Sequence, residues 1–152
     1  MGAKSNLARA KKILVADDNP IILKSVSLVL RARGYRVLTA ATGAEAIGAV
    51  NHDRPDLILL DLNFPPDAEN VVMPLQHGFQ IMDWLWEMSG VPATPVIIIS
   101  ADEPGEYQKA TPAVRAAAAF QKPLDNARLL DAIRQALESK RANSPQITGI
   151  SA

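Results

Sequence analysis

The chain has 152 residues, and its sixteen Lys and Arg balance sixteen Asp and Glu, so formal net charge is zero with both histidines neutral. Apolar residues at 48% and charged residues at 21% are the profile of one folded domain; they exclude a chain disordered throughout, and the balanced charge offers no basic field for nucleic acid or an anionic membrane. Cysteine is absent, which excludes disulfide scaffolds, Cys-ligated zinc, iron–sulfur clusters and thiol catalysis, and fits a reducing compartment.

Residues 1–10 carry basic side chains but no apolar stretch of the kind a secretory signal needs, and Asn6 stands where a myristoylation pattern wants Ser or Thr. They read as a flexible arm, and the expected location is the cytoplasm. No apolar run approaches the roughly 20 residues of a membrane span. Lys11 to Ala16 is a short apolar strand leading into Asp17-Asp18. Its lack of polar alternation suits a strand buried on both faces of a parallel sheet. Asn19-Pro20 opens a helix, with Asn as cap and Pro at the first helical position. That helix carries Ile22, Val26, Val29 and Leu30 at helical spacing and stops at Gly34. Tyr35 to Ala40 reads as a second strand, and Thr42 caps a second helix reaching about His52. After Pro55, Asp56 to Asp61 is a third buried strand, again ending in an acid.

Residues 62–78 contain three prolines and no usable period, and Phe79 to Met88 reads as a third helix. Pro95 to Ser100 is a fourth strand. Residues 102–114 form a weak helix at best, interrupted by Pro104, Gly105 and Pro112. Ala117 to Gln121 is a fifth strand reaching Lys122-Pro123. Asp125 caps a last amphipathic helix, with Leu130, Ile133 and Leu137 expected inward and Arg128, Asp131, Arg134 and Glu138 outward. The domain then spans 11–138, and 139–152 reads as a flexible tail.

Five strands alternating with helices predict an α/β fold, a parallel sheet covered on both faces. Asp17, Asp18, Asp61, Ser100 and Lys122 all sit at C-terminal strand ends, where open α/β sheets place their ligand crevice. Taken singly, Asp18 is equally well a helix cap and Lys122 a solvated surface lysine. Taken jointly, three carboxylates do not converge without a cation to offset their repulsion. Hard oxygen donors without His or Cys favour Mg²⁺ or Mn²⁺. A carboxylate can also attack phosphorus to form an aspartyl phosphate, provided that positive charge and a hydroxyl steady the phosphoryl oxygens. Lys122 and Ser100 are of those chemical types.

The acidic pair in Leu14-Val15-Ala16-Asp17-Asp18, the Asp61 of Leu59-Leu60-Asp61-Leu62-Asn63, Ser100-Ala101 and Lys122-Pro123, in this order, closely resemble the receiver domain of two-component response regulators across residues 11–138. The resemblance implies the flavodoxin-like, doubly wound five-stranded sheet of order 2-1-3-4-5. It implies that Asp61 accepts a phosphoryl group from a histidine kinase or phosphotransfer protein. Asp18 would bind Mg²⁺ directly, Asp17 through water, and Asn63 through its main-chain carbonyl, with Asp61 completing the set. Ser100 and Lys122 would each hold a phosphoryl oxygen, and the Lys122–Pro123 peptide would be cis. The implied protein is a signalling domain, not an enzyme with an outside substrate, and its remaining partner is an unknown downstream protein. The 14 residues after Glu138 are too few for an output domain, so a stand-alone receiver is the expectation, with a fragment of a longer regulator and a homodimer left open.

Two departures from the family pattern stand out. Family members place a glycine closer to the acceptor, whereas Gly78 comes seventeen residues after Asp61, so 65–76 looks like an insertion. A tolerated surface excursion explains it; a sharper alternative has Val71, Val72, Met73 and Leu75 packing over Trp84 or Trp86 and reshaping access to Asp61. The family also commonly has an aromatic three residues before the lysine. Here that position is Ala119, and Phe120 should face the other way. Asn63 and Asp102 occupy positions that tune phosphoryl lifetime in the family, and a short-lived state is expected. His52 and His77 are read as solvated. Two other functions are weighed: a docking module that is never phosphorylated, against which the intact acidic set speaks, and a phosphohydrolase of the haloacid-dehalogenase type, whose nucleophile would lie in Asp-x-Asp on the first strand.

Overall fold

A computed structural model describes residues 10–61, 94–101 and 117–142. Their elements are β1 (Lys12–Ala16), α1 (Pro20–Ala32), β2 (Arg36–Ala40), α2 (Gly43–Asp53), β3 (Leu57–Asp61), β4 (Val96–Ser100), β5 (Ala118–Gln121) and α3 (Asn126–Ala142). The sheet is parallel throughout, in the order β2-β1-β3-β4-β5. The expected helix at 79–88, the insertion at 65–76 with both tryptophans, Asn63, His77, the weak helix at 102–114 with Asp102, and all but the last residue of the N-terminal arm lie outside the described residues.

The three central strands are buried along nearly their whole length, which is why they read as unbroken apolar runs. Alternate side chains serve two separate cores. Ile13, Val15, Leu57, Leu59 and Ile97 meet Val26 and Leu30 of α1 and Leu129, Ile133 and Ala136 of α3. Leu14, Ala16, Ile58, Leu60 and Ile98 meet Ala46 and Val50 of α2. Helices on both faces thus follow from the period of two in each strand.

The helix starts are as the sequence predicts. The Asn19 side chain accepts from the Ile21 N–H (2.9 Å) with Pro20 at the first helical position. At α2, Thr42 Oγ1 accepts from the Glu45 N–H and Glu45 Oε1 accepts from the Ala41 N–H, a reciprocal cap. Gly34, at φ +90°, supplies the left-handed turn after α1.

Three details differ from expectation. Strand β3 starts at Leu57, since Asp56 turns its carboxylate onto the Lys12 N–H (2.8 Å). The buried stripe of α3 is centred on Leu129, Ile133 and Ala136, with Leu130 and Leu137 only at its edges. The helix also runs to Ala142, past the expected boundary at 138. Lys140, Arg141 and Ala142 are residue types that favour helix, which the expected boundary did not take into account. The remaining tail, 143–152, is outside the described residues. Among the described residues, no helix is long and apolar enough to cross a membrane.

Candidate functional site

The strand order reverses between β1 and β3, because the chain moves outward from β1 to β2 and then crosses back to β3. In open α/β sheets such a switch point opens a crevice at the carboxyl ends of the strands. Ala16 pairs with Leu60 in register, so Asp17 and Asp61 end their strands on the two sides of that crevice.

Backbone hydrogen bonds fix where these side chains start. The Asp17 N–H donates to the Ala40 carbonyl (3.0 Å), carrying the β1–β2 ladder one residue beyond β1. Asp17 Oδ1 then accepts from the Asn19 N–H (2.8 Å), and Asn19 in turn caps α1, so this carboxylate is tied to the helix start. Asp61 is the last residue of β3, opposite Ile99, and Ser100 ends β4 one step further on. The Lys122 N–H donates to the Ser100 carbonyl (2.8 Å), placing the lysine just beyond β5, and Lys122–Pro123 is cis, as the resemblance implies.

The result is a compact charged cluster. One carboxylate oxygen each from Asp17, Asp18 and Asp61 lies within 4.8 Å of the others. Lys122 Nζ is 2.8 Å from Asp17 Oδ2 and 3.4 Å from Asp61 Oδ2. Asp17, Asp61 and Ser100 are buried, whereas Asp18 faces solvent. Partial burial pushes the Lys122 ammonium towards its neutral form, but the hydrogen bond to Asp17 and the charges of Asp61 and Asp17 outweigh it and hold the lysine above its ordinary pKa.

Among the described residues, three acids against one ammonium leave the cluster short of positive charge. Three hard oxygen donors, two of them in a nearly dry rim, fit a divalent ion of the Mg²⁺ or Mn²⁺ kind. The structure therefore gathers Asp17, Asp18, Asp61 and Lys122 at one point, and Ser100 on the strand end between Asp61 and Lys122; Asn63 is not described. His52 lies exposed in the last turn of α2, apart from this cluster. Ala119 packs into the core on the α2 side and Phe120 into the core on the α1 and α3 side, so the phenyl ring does not take the place that Ala119 leaves. The closer attachment of Lys122 to Asp17 than to Asp61 was not legible in the sequence, because a difference of a few tenths of an ångström follows from the approach of β5 to the rim.

Comparison with known proteins places these features in context. A family profile of the response regulator receiver domain matches residues 13–134. The transcriptional regulatory protein KdpE of Mycobacterium tuberculosis is 38% identical over 89 residues, covering 59% of this chain and 34% of its own length. This chain therefore matches only about a third of that regulator. The chemotaxis response regulator CheY4 of Vibrio cholerae superposes with a TM-score of 0.70 at 30% identity, over 84% of this chain and 98% of its own. A CheY-like receiver domain protein of Methanospirillum hungatei shares the fold with a TM-score of 0.76, at 24% identity over 89% of this chain and 99% of its own.

Proposed function

This chain belongs to the response regulator receiver domain family, and we propose that it accepts a phosphoryl group on Asp61 from a phosphohistidine donor and alters its protein contacts in response. Receiver domains of this family are signalling modules that work with histidine kinases or phosphotransfer proteins. The observation that carries the reading is the convergence of Asp17, Asp18 and Asp61 within 4.8 Å, with Lys122 between the two buried acids.

In the proposed transfer an Asp61 carboxylate oxygen forms the new bond to phosphorus as the bond to the donor imidazole nitrogen breaks, that nitrogen keeping the electron pair. Burial at the end of β3 keeps the nucleophile fixed and limits competing water. Lys122 is close enough to Asp61 to meet an oxygen of the incoming group, and the Ser100 hydroxyl is the donor assigned to another. Asp17, Asp18 and Asp61, with the Asn63 carbonyl, would hold Mg²⁺ or Mn²⁺, which when bound supplies positive charge against the phosphoryl oxygens. The downstream partner is a protein whose affinity differs between the two states. Ala119 has no ring to reorient, so the response does not run through an aromatic side chain at that position.

The reading is tested by incubating the protein with acetyl phosphate and Mg²⁺ and measuring intact mass. The expected result is a gain of one phosphoryl group by the wild type, absent in Asp61→Asn and absent when EDTA removes the metal. Steady hydrolysis of a phosphate ester without an adduct would overturn it in favour of a hydrolase.

A further inference from the structure

A groove of about 330 Å³ lies between α3 and the turn that joins α1 to β2. Its volume is at the small end of the range for organic-ligand sites. One wall is the face of α3 that carries Ala127, Leu130, Asp131 and Arg134, spaced by three and four residues. The other wall is Arg33 and Tyr35. Tyr35 stands just before the first residue of β2, whereas Asp17, Asp61 and Lys122 stand at or past the last residues of their strands. In a parallel sheet this wall is therefore at the opposite end from the acidic rim.

The turn is held by its backbone alone. Gly34, at φ +90°, is its pivot; the Arg33 and Tyr35 N–H groups donate to the Leu30 carbonyl (3.0 and 3.2 Å), and the Gly34 N–H donates to that of Arg31 (3.0 Å). The side chains are left over: among the described residues, neither the Arg33 guanidinium nor the Tyr35 hydroxyl has a hydrogen bond or an ion pair. Burial raises the pKa of the Tyr35 phenol, the charges of Arg134 and Arg33 oppose that rise, and Glu138 adds to it, so two guanidiniums and a carboxylate surround this hydroxyl. Arg134 is only partly committed. It reaches Glu138 at 3.3 and 3.5 Å, a contact between exposed groups that another anion replaces at little cost. Asp131 is held on its other oxygen by Gln135 Nε2 (3.0 Å) and keeps Arg134 aimed along the groove.

We propose that this groove binds a small organic phosphate, a monoester of nucleoside monophosphate size, with the phosphate between Arg33 and Arg134 and the organic part along Leu130, Ala127 and the Tyr35 ring. Guanidinium forks match pairs of phosphate oxygens, and the phenol supplies a further donor. A phosphate monoester carries about −1.5 to −2 charge at neutral pH, which suits one uncommitted guanidinium and a second that releases Glu138. Arg31 and Arg36, exposed and without ion pairs among the described residues, flank Arg33 and Tyr35 in the chain and add positive field at this end. The site is independent of phosphoryl transfer to Asp61.

The experiment is a calorimetric titration of the full chain with adenosine 5′-monophosphate, with EDTA present so that no divalent ion carries phosphate to the acidic rim. One site with a Kd below about 1 mM is expected. Arg33→Gln and Arg134→Gln are each expected to weaken binding about tenfold, Tyr35→Phe about threefold, and Lys11→Gln not at all. Absence of binding at that level overturns the proposal, as does binding that Arg33→Gln leaves unchanged. Inorganic phosphate binding as tightly as the nucleotide makes the groove an adventitious anion site and overturns the proposal too. Should a variant fail to fold, the wild type alone decides. The nucleotide is expected to shift the amide NMR signals of Arg33, Gly34, Tyr35 and Leu130, and shifts confined to Asp18, Asp61 and Lys122 overturn the proposal.

Discussion

Twice among the described residues one basic side chain bridges two acids, and the two clusters differ chiefly in their access to water. At the rim Lys122 contacts Asp17 and Asp61, whose side chains are 0% and 1% exposed. On the outer face of α3, Arg134 contacts Asp131 and Glu138, and all three are more than half exposed. Nitrogen–oxygen distances in the two clusters overlap, so distance alone does not tell what each contributes. Groups on α3 are nearly as well solvated apart as together, and screening removes most of what remains. Asp17 and Asp61 have left water, and Lys122 is what makes their burial tolerable.

Removing the bridging cation at the rim breaks the comparison hardest. Lys122→Met leaves two buried carboxylates without their ammonium and is expected to cost about 3 kcal/mol of stability, measured by urea unfolding with EDTA present. Added Mg²⁺ should restore more stability to this variant than to the wild type, since ligand binding to the native state stabilises it by mass action. An unchanged midpoint would mean that the rim acids are far better solvated than their burial indicates.

Alkaline pH removes the same charge without a mutation. Lys122 has its folded pKa raised above the ordinary lysine value, so its contribution is complete below that value and is lost as pH rises through the folded one. Tyr35 acts in the same sense: burial pushes its phenol up, only partly offset by Arg134 and Arg33, so the folded state keeps the proton longer. Urea midpoints should hold steady through neutral pH and fall beyond the ordinary lysine range. The fall should be shallower in Lys122→Met, and shallower again with Tyr35→Phe added.

The tie between rim and helix start is weaker than either. Asn19→Ala removes the side-chain acceptor for the Ile21 N–H but leaves the Asn19 N–H on Asp17 Oδ1. A loss of about 1 kcal/mol is expected, typical of an N-cap, with Mn²⁺ affinity unchanged. A large fall in metal affinity would show that the cap and the orientation of Asp17 are a single device.

Much of this architecture was legible in the sequence, for reasons that can be named. Ile13 to Ala16, Leu57 to Leu60 and Val96 to Ile99 are unbroken apolar runs because both faces of each strand are covered, and Asp17, Asp61 and Ser100 stand out as the first polar residues after them. The alternation of Ala119 and Phe120 across the sheet followed from the strand period alone. The rotation of α3 was harder. Leu129, Ile133 and Ala136 form a helical stripe, but the small Ala136 weakens it beside the larger Leu130 and Leu137, and only the seating of the helix on β1 and β3 decides between them. The preference of Lys122 for Asp17 over Asp61 leaves no trace in composition or spacing, since either contact uses the same residues at the same positions.

The mildest variant is the control that gives the comparison its meaning. Arg134→Gln removes the cation from the α3 cluster, leaving Asp131 and Glu138 exposed to water much as they already are. Its guanidinium pKa lies above the ordinary value chiefly through Asp131, yet the group stands in water, so that elevation reports proximity and not stored stability. The urea midpoint should therefore not move measurably, at low or high salt, even though Arg134 reaches both Asp131 and Glu138. A loss comparable to that of Lys122→Met would place the α3 cluster in a far drier setting than its exposure implies. The contrast between the two clusters would then have to be sought in their geometry, such as the fork of a guanidinium against the point charge of an ammonium, and not in water.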